Sequence, residues 1–229
     1  MVVFPVGLEA NAVIFDFDGV IVDTEPLHYK AFQRILEPLG LGFSWQQYVD
    51  IYMGFDDRDA FIEAFATQNR PLDAATLSSL VERKAEIFQT VIQDGITSYP
   101  GVVELIKKLH HMKVPLAISS GALQSDIAPI VEQLGIANCF DVIVAADDVT
   151  KSKPDPETYR LAFEKLASHA ALTPGRTVAI EDTPAGITAA KGAGLQVIGL
   201  TNSYPKALIS EASVVLDSLE ELIPFTVHP

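Results

Sequence analysis

Two aspartates, Asp16 and Asp18, close the short apolar run Asn11–Phe17 (NAVIFDF), spaced i and i+2, with Gly19 directly after them. Alternate residues of a strand share a face. Two carboxylates placed this way would crowd and repel, and aspartate is in any case disfavoured in strands. A turn at Asp18-Gly19 accounts for the second acid but leaves Asp16 costly at a sheet end. A hard divalent cation, which favours carboxylate oxygens, would relieve the repulsion. Three further run ends carry polar groups. Ser119-Ser120-Gly121 follows PLAI, and hydroxyls with free backbone N–H groups ahead of a helix suit a phosphate, although serine is equally a helix cap. Lys153 lies in KSKPDPE, where a single lysine is ordinarily a solvated surface residue. Glu181-Asp182 follows TVAI, and capping of the next helix by Asp182 or Thr183 explains one acid well but not both.

These groups must be positioned by the elements they terminate. From Ser98 onward, apolar strand-like runs alternate with helical spacings: VVELIKKLHHM, VPLAIS, QSDIAPIVEQLG, FDVIVAA, DPETYRLAFEKLASHA, RTVAI, TPAGITAAKGAG, LQVIGL and SVVL. This alternation predicts an α/β fold with a doubly wound parallel sheet, in which ligands sit beyond the carboxyl ends of the strands. Asp155 is expected to cap one helix with Pro156 in its first position. The small-residue face at Ala185, Gly186, Ala189, Ala190, Ala193 and Gly194 is expected to reflect close packing on the sheet. Between Pro26 and Asp94 the spacing is helical throughout. The expected organisation is therefore an α/β core from residues 1–24 and 96–229, with a helical unit, 25–95, inserted after the first strand.

The 229 residues carry a formal net charge of -14 and 48% hydrophobic residues. That balance argues against nucleic acid and anionic membrane partners, which need a basic face. The single cysteine, Cys139, permits no intramolecular disulfide and reads as a small semi-buried hydrophobe. No basic stretch leads into an apolar one near the N-terminus, and no apolar run approaches spanning length. The expectation is a cytoplasmic monomer without a membrane partner.

The four run ends resemble, in order, the four motifs of the haloacid dehalogenase-like hydrolase superfamily. DFDGV is similar to the first, Ser119 to the second, Lys153 to the third and Glu181-Asp182 to the fourth. The stretches FDFDGVIVDTEPLH, KSKPDPETY and IEDTPAGITAAKGAG most resemble the β-phosphoglucomutase and sugar-phosphatase branch, which has a Rossmann-like core and a small helical cap. The resemblance implies a hydrolase using Mg2+ and acting on a small phosphorylated metabolite. Asp16 would be the nucleophile that forms an aspartyl-phosphate, and Asp18 the general acid and then base. Asp16, the Asp18 backbone carbonyl and Asp182 would hold the metal, with Glu181 ligating directly or through water. Lys153 would pair with Asp16 and the phosphoryl group. Ser119 and the amide of Ser120 would bind phosphoryl oxygens.

Within this branch, the mutases carry a lysine just before a cap glycine and an arginine three residues after it. Here Gly54 is kept, Met53 and Asp57 stand at the two cationic positions, and Arg58 is one residue off. The exchange disfavours a second, distal phosphate, so a phosphatase is expected rather than a β-phosphoglucomutase-type mutase. His28 matches a histidine near the cap hinge and could contact substrate; a packing histidine is the other reading. A non-enzymatic phosphoacceptor also clusters acids, a hydroxyl and a lysine around Mg2+, but would leave the helical insert unexplained.

Overall fold

The computed structural model describes residues 1–53, 55, 57–168 and 171–227. The chain divides into two compact units, Met1–Asp23 with Thr97–Pro229, and Thr24–Ile96.

The first unit is built on a six-stranded parallel sheet. Its strands are β3 (Ala12–Phe15), β4 (Leu116–Ser119), β5 (Val142–Val144), β6 (Thr177–Glu181), β7 (Gln196–Leu200) and β8 (Val214–Leu216), in the order β5-β4-β3-β6-β7-β8. Residues of β3 and β4 are buried without exception, as expected of parallel strands covered on both faces. Helices α5 (Val102–His111), α6 (Gln124–Gln133), α7 (Glu157–Ala167) and α8 (Pro184–Gly192) connect them. Tyr159, Ala162 and Leu166 of α7 and Ile187, Ala189 and Ala190 of α8 pack with Ile14, Ala117 and Ala179 of the sheet in one apolar cluster. The chain runs from β3 to one edge through β4 and β5. It then returns to the other side of β3 for β6, β7 and β8. The reversal lies between β3 and β6, where ligands of such sheets bind.

A small antiparallel sheet joins β1 (Val2–Val3), β2 (Glu9–Ala10) and β9 (Thr226–Val227), an element absent from the expectation. Helix α7 begins at Glu157, with Pro156 in the cap position and no side-chain cap. Asp155 is thus one residue further out than expected, although it accepts the Glu157 N–H at 3.0 Å. Cys139 is buried and unpaired with another cysteine.

The second unit comprises α1 (Glu25–Leu36), the short α2 (Trp45–Gln47), α3 (Asp57–Ala66) and α4 (Ala74–Gln93). A π-helical segment, Tyr48–Tyr52, continues α2 where a regular helix was expected. Its own core gathers Phe32, Phe43, Tyr48, Tyr52, Phe61 and Phe65. Asp73 caps α4 by accepting the Thr76 N–H at 2.7 Å.

Candidate active site

The register of the sheet sets out the site before any side chain is considered. Phe15 of β3 is level with Ile118 of β4 on one side and Ile180 of β6 on the other. The next residue of each strand or strand end is therefore Asp16, Ser119 and Glu181, side by side, and the Asp16 N–H donates to the Ile180 carbonyl at 2.9 Å. Asp16, Ser119, Ser120, Glu181 and Asp182 are all buried. Asp18 is partly buried, and its backbone bridges to Val22.

Lys153 is not a surface lysine. Its ammonium donates to Asp16 Oδ1 at 2.7 Å, to Glu181 Oε1 at 2.6 Å and to the Ser119 carbonyl at 3.1 Å, which engages all three of its protons. Burial alone would lower its pKa, but Asp16 and then Glu181 outweigh that and hold it above its ordinary value, fully charged.

One oxygen each of Asp16, Glu181 and Asp182 lies within 4.8 Å of the others. Burial pushes Asp16 well above the usual carboxylate range, Glu181 adds to the rise, and Lys153 opposes it. Burial likewise pushes Asp182 up to about 7, against a lowering hydrogen bond from Ser203 and with Glu181 adding to the rise. Three carboxylates share one ammonium in this cluster, and the crowding of acids is part of what raises Asp16 and Asp182. The clustered carboxylate oxygens are the donor set a hard divalent cation takes.

Serine capping does not explain Ser119, because α6 starts only at Gln124 with Leu123 as its cap residue. The Ser120 N–H, expected on a phosphoryl oxygen, donates instead to the Val144 carbonyl at 2.9 Å, because pairing with β5 continues one residue past the strand. The Ser120 hydroxyl accepts the Ala122 N–H at 2.9 Å. Among the described residues, the buried side-chain atoms without a hydrogen-bond partner are Ser119 Oγ and Asp182 Oδ1. Such orphans are rare and costly in folded proteins, and here both are in one cluster.

Thr183 caps α8, its hydroxyl accepting the Gly186 N–H at 3.0 Å with Pro184 following. That leaves the two acids before it for other work. Glu181 Oε1 accepts from Lys153 and from the Tyr159 hydroxyl at 3.0 Å. Its Oε2 accepts the Asp182 N–H at 3.0 Å, the Thr183 N–H at 3.1 Å and the Thr183 hydroxyl at 3.0 Å. A side chain at Gly186 would place its Cβ 1.7 Å from Glu181 Oε1. The small face of α8 thus makes room for a site carboxylate as well as packing on the sheet. Tyr159, which the sequence reading did not single out, is wholly buried, with Lys153 Nζ 4.8 Å from its ring centroid. Burial and then Glu181 hold its hydroxyl protonated.

His28 and Arg58 belong to the helical unit, and Gly54 lies outside the described residues. His28 is a packed histidine. Its ring stacks on Phe88 with centroids 4.4 Å apart, and its Nδ1 lies 2.7 Å from Lys84 Nζ. Burial, then the charge on Lys84, lowers its pKa to about 3; the neutral ring accepts from Lys84 at Nδ1 and carries its proton on Nε2. Lys84 also pairs with Asp57 Oδ1 at 2.7 Å. Arg58 and Met53 are exposed.

The family model for haloacid dehalogenase-like hydrolases matches residues 13–200. The chain belongs to that family. Among curated relatives, a phosphorylated carbohydrates phosphatase of Thermotoga maritima is 32% identical over 219 residues, covering 93% of this chain and 96% of the relative. The fructose-1-phosphate phosphatase YqaB of Escherichia coli is 31% identical over 81% of this chain and 94% of its own length. Among solved structures, CbbY of Rhodobacter sphaeroides, in complex with xylulose-(1,5)bisphosphate, superposes with a TM-score of 0.77. It is 28% identical, over 93% of this chain and 99% of that one. The doubly wound core is the Rossmann-like core of this hydrolase family, and among the described residues no helix is long and apolar enough to cross a membrane.

Proposed function

We propose that this chain is a Mg2+-dependent phosphomonoester hydrolase acting on a small sugar or polyol phosphate through an aspartyl-phosphate on Asp16. The observation that carries the reading is the pair of buried, partnerless oxygens, Ser119 Oγ and Asp182 Oδ1, beside an acid cluster holding one ammonium. A phosphoryl oxygen suits the first and a divalent cation the second.

Asp16, Asp182 and the Asp18 carbonyl would hold Mg2+, which when bound neutralises charge on the transferring phosphoryl group. Lys153 holds Asp16 Oδ1 and so fixes the carboxylate that attacks phosphorus. The Ser119 hydroxyl donates to a phosphoryl oxygen. Asp18 protonates the departing alkoxide and later takes a proton from the water that cleaves the acyl phosphate. Glu181, whose two oxygens already accept five hydrogen bonds, holds Lys153 and the Asp182 turn in place and would reach the metal through water. Selection of the leaving alcohol falls to the helical unit, residues 24–96.

Hydrolysis is preferred to mutase chemistry because the two cationic positions of the mutase branch hold Met53 and Asp57, and Asp57 is paired with Lys84. The names of the relatives point the same way. The test is phosphate release from hexose, pentose and polyol monophosphates with and without Mg2+, alongside Asp16→Ala. Turnover that needs both metal and Asp16 supports the reading. Glucose 6-phosphate formed from β-glucose 1-phosphate without free phosphate would make the protein a mutase. Stoichiometric labelling without turnover would make it a phosphoacceptor.

A further inference from the structure

The chain segment after β7 contributes two residues to the site that lie in none of its four motifs. Thr201 is tied outward to β8: its N–H donates to the Leu216 carbonyl at 3.1 Å and its hydroxyl to Asp217 Oδ1 at 2.7 Å. The next two residues reach the other way, across the end of β6 toward β3. The Ser203 hydroxyl donates to Asp182 Oδ2. The Asn202 side-chain amide donates to the Gly19 carbonyl at 2.6 Å.

Each contact fixes an atom beside it. With Oδ2 of Asp182 engaged by Ser203, the carboxylate cannot rotate freely, and its other oxygen, Oδ1, is the buried one left without a partner. Gly19 is held from both ends. Its N–H donates to the Val22 carbonyl at 3.0 Å, and its carbonyl accepts from Asn202. In a trans peptide the carbonyl points opposite to the N–H of the same plane, so the Asp18 carbonyl is directed away from Val22. Gly19 has φ +78, and a Cβ there would lie 1.9 Å from Asp182 Oδ2. The two tethered groups are therefore in direct contact with each other.

We infer that Asn202 and Ser203 are positioning residues for the cation: Ser203 orients the Asp182 carboxylate, and Asn202 locks the Gly19 turn that aims the Asp18 carbonyl. This rests on the proposed reading of Asp16, Asp18 and Asp182 as the donor set. Partners that orient metal ligands typically contribute ten- to hundredfold in affinity.

The experiment is direct binding of Mn2+ to substrate-free protein, followed by the electron paramagnetic resonance of the free ion and by competition with Mg2+. Ser203→Ala and Asn202→Ala should each weaken Mn2+ binding by about tenfold or more without lowering the melting temperature of metal-free protein. Ser203→Thr, which keeps the hydroxyl, should restore affinity. In turnover assays, the Mg2+ concentration for half-maximal rate should rise while kcat at saturating Mg2+ stays within a few-fold of the parent. Unchanged Mn2+ affinity in both variants overturns the inference, as does a kcat loss that excess Mg2+ does not recover. Failure of the parent protein to bind Mn2+ in a manner sensitive to Asp182→Ala would overturn the metal reading itself, a separate outcome.

Discussion

Each unit of the protein encloses a lysine, Lys84 buried and Lys153 partly so, and the two are enclosed for different ends. Lys84 in the helical unit is the more enclosed, with its side chain 3% exposed against 13% for Lys153. Among the described residues, the charges around Lys84 balance: one carboxylate, Asp57, a neutral His28, and the rings of Phe32 and Phe88 at 5.2 and 4.9 Å. Around Lys153 they do not, since Asp16, Glu181 and Asp182 outnumber it. Burial of a charge demands a partner. A cluster that satisfies this demand internally is a folding device, while one left with surplus charge and two orphaned oxygens is organised for something that arrives. Burial of an ionisable group is thus less informative than the balance around it.

The largest effect is expected at Asp16. Asp16→Asn keeps the shape and removes the charge, and should lower phosphate release by about a thousandfold or more, as loss of a nucleophile commonly does; substantial residual turnover would mean Asp16 does not attack. Next in size is the response to metal. Mg2+ at a hundred times its Kd should stabilise the protein by about 2.7 kcal/mol. Hydrogen exchange should show the added protection at residues 16–19 and 181–183 and none around Lys84. Protection spreading equally through α4 would contradict the division drawn between the two lysines.

Lys84→Met should destabilise the helical unit by about 1–2 kcal/mol, the usual cost of breaking a buried pair reduced because Asp57 is 33% exposed. Chemical denaturation with fluorescence from Trp45 measures it. His28 sharpens the same contrast through pH. Its pKa falls from 6.5 to about 3 in the folded chain, so between those values the unfolded chain holds a proton that the folded chain does not. Stability from this group is complete above pH 6.5 and is lost as pH falls toward 3. His28→Gln should flatten that part of the stability profile, and an unchanged profile would exclude His28 as its source. The smallest effect is expected from Tyr159→Phe, which removes one of five hydrogen bonds to Glu181. A few-fold fall in kcat with KM unchanged would show that it acts through the placement of Lys153.

Much of this site is legible in the sequence because it violates the pattern around it. Acids at the ends of wholly apolar strands have no reason in local structure, and Asp16, Glu181 and Asp182 stand out for that reason. Lys153 carries no such mark; taken alone it reads as a surface lysine, and its three partners come from three separate parts of the chain. Asn202, Ser203 and Tyr159 went unnoticed because a polar turn and a helical tyrosine are ordinary by composition. Their meaning lies in contacts such as Asn202 to Gly19, which no local signal encodes. The same holds for β1, β2 and β9, two-residue strands whose pairing joins opposite ends of the chain. Asp155 was misplaced as a cap because its side chain reaches the same N–H region from one residue further out.

The backbone leaves the α/β unit at Asp23 and re-enters it at Thr97, and these residues are hydrogen-bonded to each other, Asp23 N–H to Thr97 carbonyl at 3.1 Å, with Tyr99 N–H on the Ile21 carbonyl at 3.2 Å. Departure and return therefore occupy a single spot on the host. For inheritance, this makes everything between them a cassette. It can lengthen, shrink or be exchanged for an unrelated sequence, provided its two ends meet, while the strand ends that carry Asp16 and Asp182 keep their register and the turn before α7 keeps Lys153 between them.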